Sequence, residues 1–442
     1  MRFLGVGDTC DLAWMYRGLA GRGHEVRVFV HDDACHDVHA GWLQRTDDWM
    51  GELGWLREAG EDGIALFETA THGPVQDALR AEGFQVIGGS GVGDRLEADR
   101  EYGQHVLAEA GLRVAASRRF THWHDAHDFI GREPGRYVLK FNDAAVARTR
   151  NYIGQRADGA DMAALLATYE DHVPEGECCD FVLMDHLDGV EVGVGGYFNG
   201  REFMTPVCVD FEHKRLFPGD LGELTGEMGT LVTYRGGRTL FERVLAPVAP
   251  LLAASGYCGY INVNLIANED GLWPLEFTSR FGYPGFAICE ALHTTTWEDI
   301  FRRMLRRERL DFGTRGGWAA GVVLTVPPFP YRQGYAELSK GMRVQVDATL
   351  TAGESSRLAW AEVALAGSDM VTAGASGYLG VATGLAPEVI EARDAALALA
   401  RRVWVPNLRY RNDIGQRLAD GDLERLRTLR LFDTAEVQVT ST

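Results

Sequence analysis

The run Tyr260-Ile261-Asn262-Val263-Asn264-Leu265-Ile266, the turn Glu269-Asp270-Gly271 and the return Leu275-Glu276-Phe277-Thr278-Ser279-Arg280-Phe281-Gly282 decide how this chain is read. Two apolar segments around an Asp-Gly signal specify a β-hairpin. Two-residue alternation puts Glu276 and Thr278 on one face, so Asn264, Glu276, Thr278 and Arg280 are expected to converge. Oxygen ligands on adjacent strands suit Mg²⁺ (or Mn²⁺) bound to nucleotide phosphates, and a guanidinium beside them suits charge on a transferring phosphoryl group. Read alone, the Glu-x-Thr-x-Arg string also fits a surface hairpin with a solvated ion pair, so its context decides.

The 442 residues, 46% hydrophobic, are enough for two to four domains with large cores. A net charge of −19 opposes a nucleic acid or an anionic membrane as partner. The opening Met1-Arg2-Phe3-Leu4-Gly5-Val6-Gly7-Asp8 has no signal-peptide pattern and no apolar run is long enough to span a bilayer, so a cytoplasmic location is expected. Seven cysteines with no C-x-x-C pair suggest neither a disulfide framework nor a zinc site. The histidines at 31, 36 and 39 and at 122, 124 and 127 lack a recognised ligand spacing and are expected at the surface.

Strand Arg2 to Val6, helix Leu12 to Ala20, strand Glu25 to Val30, strand Gly63 to Phe67, helix Pro74 to Glu82 and strand Phe84 to Ile87 predict a doubly wound α/β domain over residues 1–95. A helix is expected from Arg95 to Gly111, carrying Glu97 and Arg100. Strands Arg136 to Phe141 and Phe181 to Asp185, with helix Met162 to Glu170 between them, form a small lobe over about 115–187 within a second domain, 96–312. A β-rich α/β module, 313–442, follows with strands near Ala320 to Val326 and Ala361 to Leu365 and helix Pro387 to Val403.

From Lys140 onward the signals resemble the ATP-grasp superfamily, and within it the glycinamide ribonucleotide synthetase (phosphoribosylamine-glycine ligase) family. Glu212-His213-Lys214-Arg215, followed by Gly219-Asp220-Leu221-Gly222-Glu223-Leu224-Thr225-Gly226-Glu227-Met228-Gly229, is similar to that family's DHKR segment and D-T-G-x-N-T-G-G-M-G loop. Arg280-Phe281-Gly282-Tyr283-Pro284 resembles its RFGDP, and Leu187-Asp188-Gly189-Val190-Glu191 its L-D-G-E-E. The resemblance implies ATP between two sheets, with Lys140 and Arg100 on its phosphates, the hinge Met184, Asp185, His186 and Leu187 at adenine, and Glu191 on the ribose hydroxyls. It makes Glu276 the principal metal ligand with Asn264 and Thr278 beside it, and Arg280, Lys214 and Arg215 catalytic. Gly7, Asp8, Asp220, Gly222, Thr225, Gly226, Met228, Gly229 and Tyr283 would contact substrate, the glycine loop offering open backbone N–H groups.

The implied reaction is ADP-forming ligation of a small-molecule carboxylate, such as an amino acid, to an amine through an acyl phosphate. Several departures argue for an amine other than the usual one. The family's G-G-R-E-H turn is Gly7-Asp8-Thr9-Cys10-Asp11 here, its G-P-E turn is displaced by Phe67-Glu68-Thr69-Ala70, and Tyr283 and Gly285 replace the two acids of R-F-G-D-P-E. Thr278 replaces an asparagine, with Asn264 expected to compensate, and Arg148 or Arg150 would serve the ATP lid. The competing readings are an enzyme still using glycine and phosphoribosylamine, and an ATP-binding homologue without catalysis.

Overall fold

The computed structural model describes residues 1–141, 151–172, 180–308 and 311–433. Strands Arg2–Gly7 (β1), Glu25–Val30 (β2), Gln44–Arg45 (β3), Gly63–Phe67 (β4) and Gln85–Ile87 (β5) form a parallel sheet in the order β3-β2-β1-β4-β5. β1 and β4 are buried almost throughout, as strands covered on both faces must be. The order diverges from β1 to either side, which is the doubly wound arrangement expected. Gly5 admits helix Ala13–Gly21 close to β1, since a Cβ there would collide with the Tyr16 ring.

The single helix expected over 95–111 is instead two, Gly91–Ala98 and Arg100–Glu109. Asp99 separates them: its backbone is extended and its side chain accepts the Tyr102 N–H at 3.0 Å. Capping the second helix competes with continuing the first.

Ser117–Phe120 (β6), Tyr137–Phe141 (β7), Tyr152–Ile153 (β8) and Phe181–Asp185 (β9) build a small antiparallel sheet ordered β6-β9-β7-β8. Helices Trp123–Arg132 and Ala160–His172 cover one face, where Trp123 stacks on Phe181 with ring centroids 4.6 Å apart. Alternation in β7 leaves Val138 and Lys140 on the other face beside Val182 and Met184.

Val190–Asn199 (β10), Cys208–Glu212 (β11), Arg215–Phe217 (β12), Leu221–Leu224 (β13), Gly229–Thr233 (β14), Cys258–Asn268 (β15), Gly271–Thr278 (β16) and Trp318–Thr325 (β17) follow. An eight-stranded sheet runs β16-β15-β10-β11-β14-β17 and then continues through Tyr378–Ala386 to Leu358–Trp360, while β12 and β13 pair as a separate hairpin. The decisive hairpin forms as read, with Asn264 opposite Glu276 and Asn262 opposite Thr278. A bulge between Asn264 and Leu265 produces that register.

Arg411 is 1% exposed and fastens the β12–β13 hairpin to the C-terminal part, donating to Asp220 at 3.1 Å and to Asp413 at 2.8 Å. Arg411→Met should lower unfolding free energy by about 2 kcal/mol, less than the roughly 3–5 of a fully buried pair, because both aspartates can rehydrate. Urea unfolding measures it, and an unchanged midpoint would refute it.

His39 corrects the expectation of surface histidines: it is 0% exposed, and its Nε2 donates to the Trp360 carbonyl at 3.2 Å. Burial pushes its imidazole down to about 3, so it stays neutral while joining the first domain to the C-terminal strands. His122, His124 and His127 are exposed and lie beside Asp125 or Asp128. Among the described residues no group of three or more His, Cys, Asp or Glu forms a ready-made metal centre, and no helix is long and apolar enough to cross a membrane.

Candidate active site

Lys214 organises the cleft between the small lobe and the large sheet. Its Nζ lies 3.2 Å from Glu276 Oε1, 3.2 Å from Glu212 Oε2 and 3.6 Å from Glu191 Oε1. Burial alone would lower the ammonium's pKa, but Glu276, then Glu212 and Glu191, hold it well above the ordinary lysine value. Glu276 is in turn held well below the usual carboxylate range, mainly by Lys214, with Lys140 and Arg100 adding to the effect against burial. Lys214, Lys140 and Arg100 thus share the field of Glu276, with Glu212 and Glu191 also on Lys214, so the cleft holds cations suited to phosphate oxygens beside carboxylates suited to a bridging metal.

Lys140 is pushed down to about 8 by burial, which outweighs the attraction of Glu276. A bound triphosphate would favour its charged form, so nucleotide binding should take up protons above about pH 8. Calorimetry in buffers of different ionisation enthalpy reads that uptake. Equal proton counts for the native protein and Lys140→Met would show that Lys140 does not meet the phosphates.

Asn264 Nδ2 donates to Glu212 Oε2 at 3.1 Å, which leaves the Asn264 carbonyl oxygen as a possible ligand. Glu212, Glu276 and that carbonyl are hard oxygen donors, few enough to fit Mg²⁺ completed by nucleotide phosphates. Thr278 lies on the same strand face one register pair further, opposite Asn262. Arg280 stands at the end of the hairpin. Its Nε donates to Glu97 Oε1 at 3.1 Å, and Glu97 Oε2 accepts the Ser279 N–H at 2.7 Å. Burial opposes its charge, yet Glu97 and then Asp11 raise the guanidinium above its ordinary value.

The hinge has an apolar wall: Ala115, Val182 and Met184 are buried together with Val138 and Leu187 packed against them. Arg100 Nη1 approaches Met184 Sδ at 3.9 Å, and His186 N–H donates to the Arg136 carbonyl at 2.9 Å. In the first domain, Gly7 gives the Glu68 carboxylate room, and Glu68 Oε2 accepts the Asp11 N–H at 2.7 Å. The displaced turn at Glu68 thus meets the Gly7-Asp8 turn.

Other predicted contacts are placed elsewhere. Arg215 donates to the Gly222 carbonyl at 2.7 Å within the hairpin, and Asp220 is held by Arg411, so neither joins the Lys214 cluster. The expected open amides are not all open: Thr225 N–H donates to the Lys214 carbonyl and Met228 N–H to the His213 carbonyl, folding that loop back on the lysine strand. Gly226 has no atom within 4 Å of where its Cβ would be, whereas Gly229 is wedged 2.5 Å from the Gly321 carbonyl oxygen on the same measure. The Met228 side chain is in the core. Tyr283 packs against Tyr378, ring centroids 4.9 Å apart. Arg148 and Arg150 lie outside the described residues.

Two participants escaped the sequence reading. Glu212 was visible in the quoted segment, two residues before Lys214, and the chain between β11 and β12 brings Lys214 Nζ back to it at 3.2 Å. Glu97, 183 residues from Arg280, had no local signal.

Fold and site together define the class, an ATP-grasp ligase domain forming C–N bonds. More particularly, residues 98–286 match the family model described as phosphoribosylglycinamide synthetase, ATP-grasp (A) domain, so this domain is of that type. The chain is similar to the phosphoribosylamine-glycine ligase of Rhizobium meliloti, 26% identical over 358 residues that cover 77% of this chain and 80% of the relative. The Mycobacterium bovis ligase is also 26% identical, with 83% and 86% covered. Among solved structures, the phosphoribosylamine-glycine ligase of Thermotoga maritima superposes with a TM-score of 0.68 at 21% identity, covering 94% of this chain and 100% of that one. Biotin carboxylase from Campylobacter jejuni shares the fold with a TM-score of 0.61 at 10% identity, over 98% and 97% of the chains.

Proposed function

We propose that the protein is an ATP-dependent, ADP-forming carboxylate-amine ligase whose amine differs from phosphoribosylamine. The observation that carries this reading is the Lys214–Glu276–Glu212–Glu191 cluster with Lys140 and Arg100 facing it across the cleft. The apolar wall at Met184 and Leu187 suits adenine, Glu191 accepts ribose hydroxyls, and Lys140 and Arg100 neutralise phosphate charge. Glu276, Glu212 and Asn264 would hold Mg²⁺, which supplies charge neutralisation on the phosphate oxygens.

A substrate carboxylate oxygen attacks the γ-phosphorus in line as the bond to the β-phosphate oxygen breaks, giving an acyl phosphate and ADP. The amine nitrogen then attacks the acyl carbon, phosphate leaves, and the amine proton passes to solvent. Arg280, fixed by Glu97, is positioned for the charge on the acyl phosphate and on the tetrahedral intermediate. Tyr283 in place of an acid supports the different amine.

The relatives' names favour a second reading, ligation of glycine to phosphoribosylamine, since they cover about four fifths of the chain. Incubating the protein with MgATP, glycine and phosphoribosylamine tests both. Turnover of that pair at the rate of a dedicated ligase overturns our choice of substrate. ADP release only with another carboxylate-amine pair supports it, and tight ATP binding with no ADP release from any pair would favour a homologue without catalysis.

A further inference from the structure

The parallel sheet is built outward in two directions, β1 to β3 on one side and β4 to β5 on the other, so the crevice beyond the carboxyl ends of β1 and β4 is its switch point. Doubly wound folds take ligands in that crevice. Two acids meet there. Asp11, half-buried, comes from the loop after β1, and Glu68, 1% exposed, follows β4. Glu68 Oε2 accepts the Asp11 N–H at 2.7 Å, and Thr9 Oγ1 donates to Asp11 Oδ1 at 2.6 Å. Gly7 makes the meeting possible, because a Cβ there would collide with the Glu68 carboxylate. Glu68 Oε1 remains buried with no hydrogen-bond partner, and no described residue donates to Asp11 Oδ2. Among the described residues no lysine or arginine forms an ion pair with either acid. The nearby Arg45 is engaged by Cys10 Sγ at 3.3 Å and by the Val38 carbonyl.

Glu362, in the C-terminal part, shows the contrast. Its oxygens accept from the Ser376 hydroxyl at 2.7 Å and from the backbone N–H groups of Ser376 and Gly377 at 2.9 and 2.7 Å. A carboxylate that this fold uses for structure is fully supplied with donors, so the undersupplied pair calls for a ligand that brings them. The crevice also borders the reaction site. Asp11 acts on the Arg280 guanidinium and on the hydroxyls of Tyr283 and Tyr378, and its neighbour Cys10 shares a core with Tyr378 against which Tyr283 packs. The two tyrosine rings lie 4.9 Å apart, and the Tyr378 hydroxyl is another buried polar group without a partner. Aromatic faces beside carboxylates suit a cation, and the same carboxylates repel a phosphate. The nitrogen that attacks the acyl carbon must be uncharged, so the cation is a different group of the same molecule.

We propose that Asp11 and Glu68 bind a second, non-reacting cationic group of the amine substrate, which is therefore an unphosphorylated diamine rather than a phosphorylated amine. The proposal rests on the ligase reading, and its test separates the two. The protein is given MgATP, pools of amino acids and short carboxylic acids, and hydroxylamine as a general amine; ADP release with hydroxamate formation identifies an acyl donor. With that donor, ethanolamine, ethylenediamine and phosphoethanolamine are compared, then the same end groups on propyl to hexyl chains. At one chain length the diamine should exceed the amino alcohol about tenfold or more in kcat/KM, and the phosphate should be poorer than the alcohol. Asp11→Asn and Glu68→Gln, checked by thermal unfolding, should each shrink the diamine's lead. A proton count gives a readout that a purely structural role would not move. Asp11, Tyr16, Cys10 and Arg45 are the titratable groups about Glu68: burial and then Asp11 push its carboxyl up to about 8 against Tyr16, the Asp11 N–H and Arg45, while the Cys10 thiol is pushed up to about 12. A bound cation favours the charged carboxyl, so the diamine should release up to about one proton near pH 7, and Glu68→Gln should release none. Calorimetry in buffers of different ionisation enthalpy reads that release. No chain length at which the diamine leads, a phosphorylated amine used as well as the diamine, or equal proton release by native protein and Glu68→Gln overturns the cation site and leaves the ligase reading standing where hydroxamate forms. Silence with hydroxylamine and with every amine overturns the ligase reading and the site with it.

Discussion

Glu276→Gln should reduce kcat for ADP formation by roughly 10²–10³-fold, the size of effect that follows loss of a charge-stabilising group at a phosphoryl-transfer site. The amide keeps the volume of Glu276 but removes the one carboxylate whose charge Lys214, Lys140 and Arg100 share, leaving Lys214 to Glu212 and Glu191. It also weakens the oxygen donor set, so the Mg²⁺ concentration giving half-maximal rate should rise about tenfold or more. A coupled ADP assay across a Mg²⁺ titration reads both quantities. Native kcat reached at the native Mg²⁺ requirement would remove Glu276 from the metal and phosphate site. In the absence of nucleotide the variant should also melt at a lower temperature at neutral pH. The folded carboxyl has a depressed pKa, so its stabilisation is present above the unfolded carboxylate range and is lost as pH falls below it.

Arg280→Met should cost a comparable roughly 10²–10³-fold in kcat while leaving ATP affinity within about twofold. Arg280 is held at the end of the hairpin by Glu97 and lies in the field of Asp11 from the first domain. On the proposed reaction its charge would be needed once the acyl phosphate begins to form. Rapid-quench measurement of the first turnover, beside equilibrium nucleotide binding, separates the two effects. An equal loss in ATP binding would move Arg280 to the nucleotide. Glu97→Gln should give a smaller loss in the same direction, because the amide still accepts from Ser279 but no longer anchors a cation.

The hairpin was legible because its rules are local: an Asp-Gly turn, apolar runs and a period of two. Its pairing of Asn264 with Glu276 depends on a bulge that no turn rule specifies. The helix break at Asp99 carried a signal, an N-capping residue within a polar run, which a simple helical period passes over. His39 could not be told from its exposed neighbours His31 and His36, since its burial comes from Trp360, 321 residues away. The same reason hides Glu97. A carboxylate in sequence says nothing about whether donors surround it in space.

The pairing of β14 with β17, Gly229 to Val232 against Val322 to Ala319, has a mechanical consequence. It welds the C-terminal strands to the strands bearing Glu276 and Glu212, so these parts move as one plate. The small lobe joins the rest of the chain through two short links, between Glu109 and Ser117 and between Asp185 and Val190. Any opening and shutting over nucleotide is therefore concentrated in those links. A crosslink between small lobe and plate should freeze turnover, whereas one between β14 and β17 should leave it untouched.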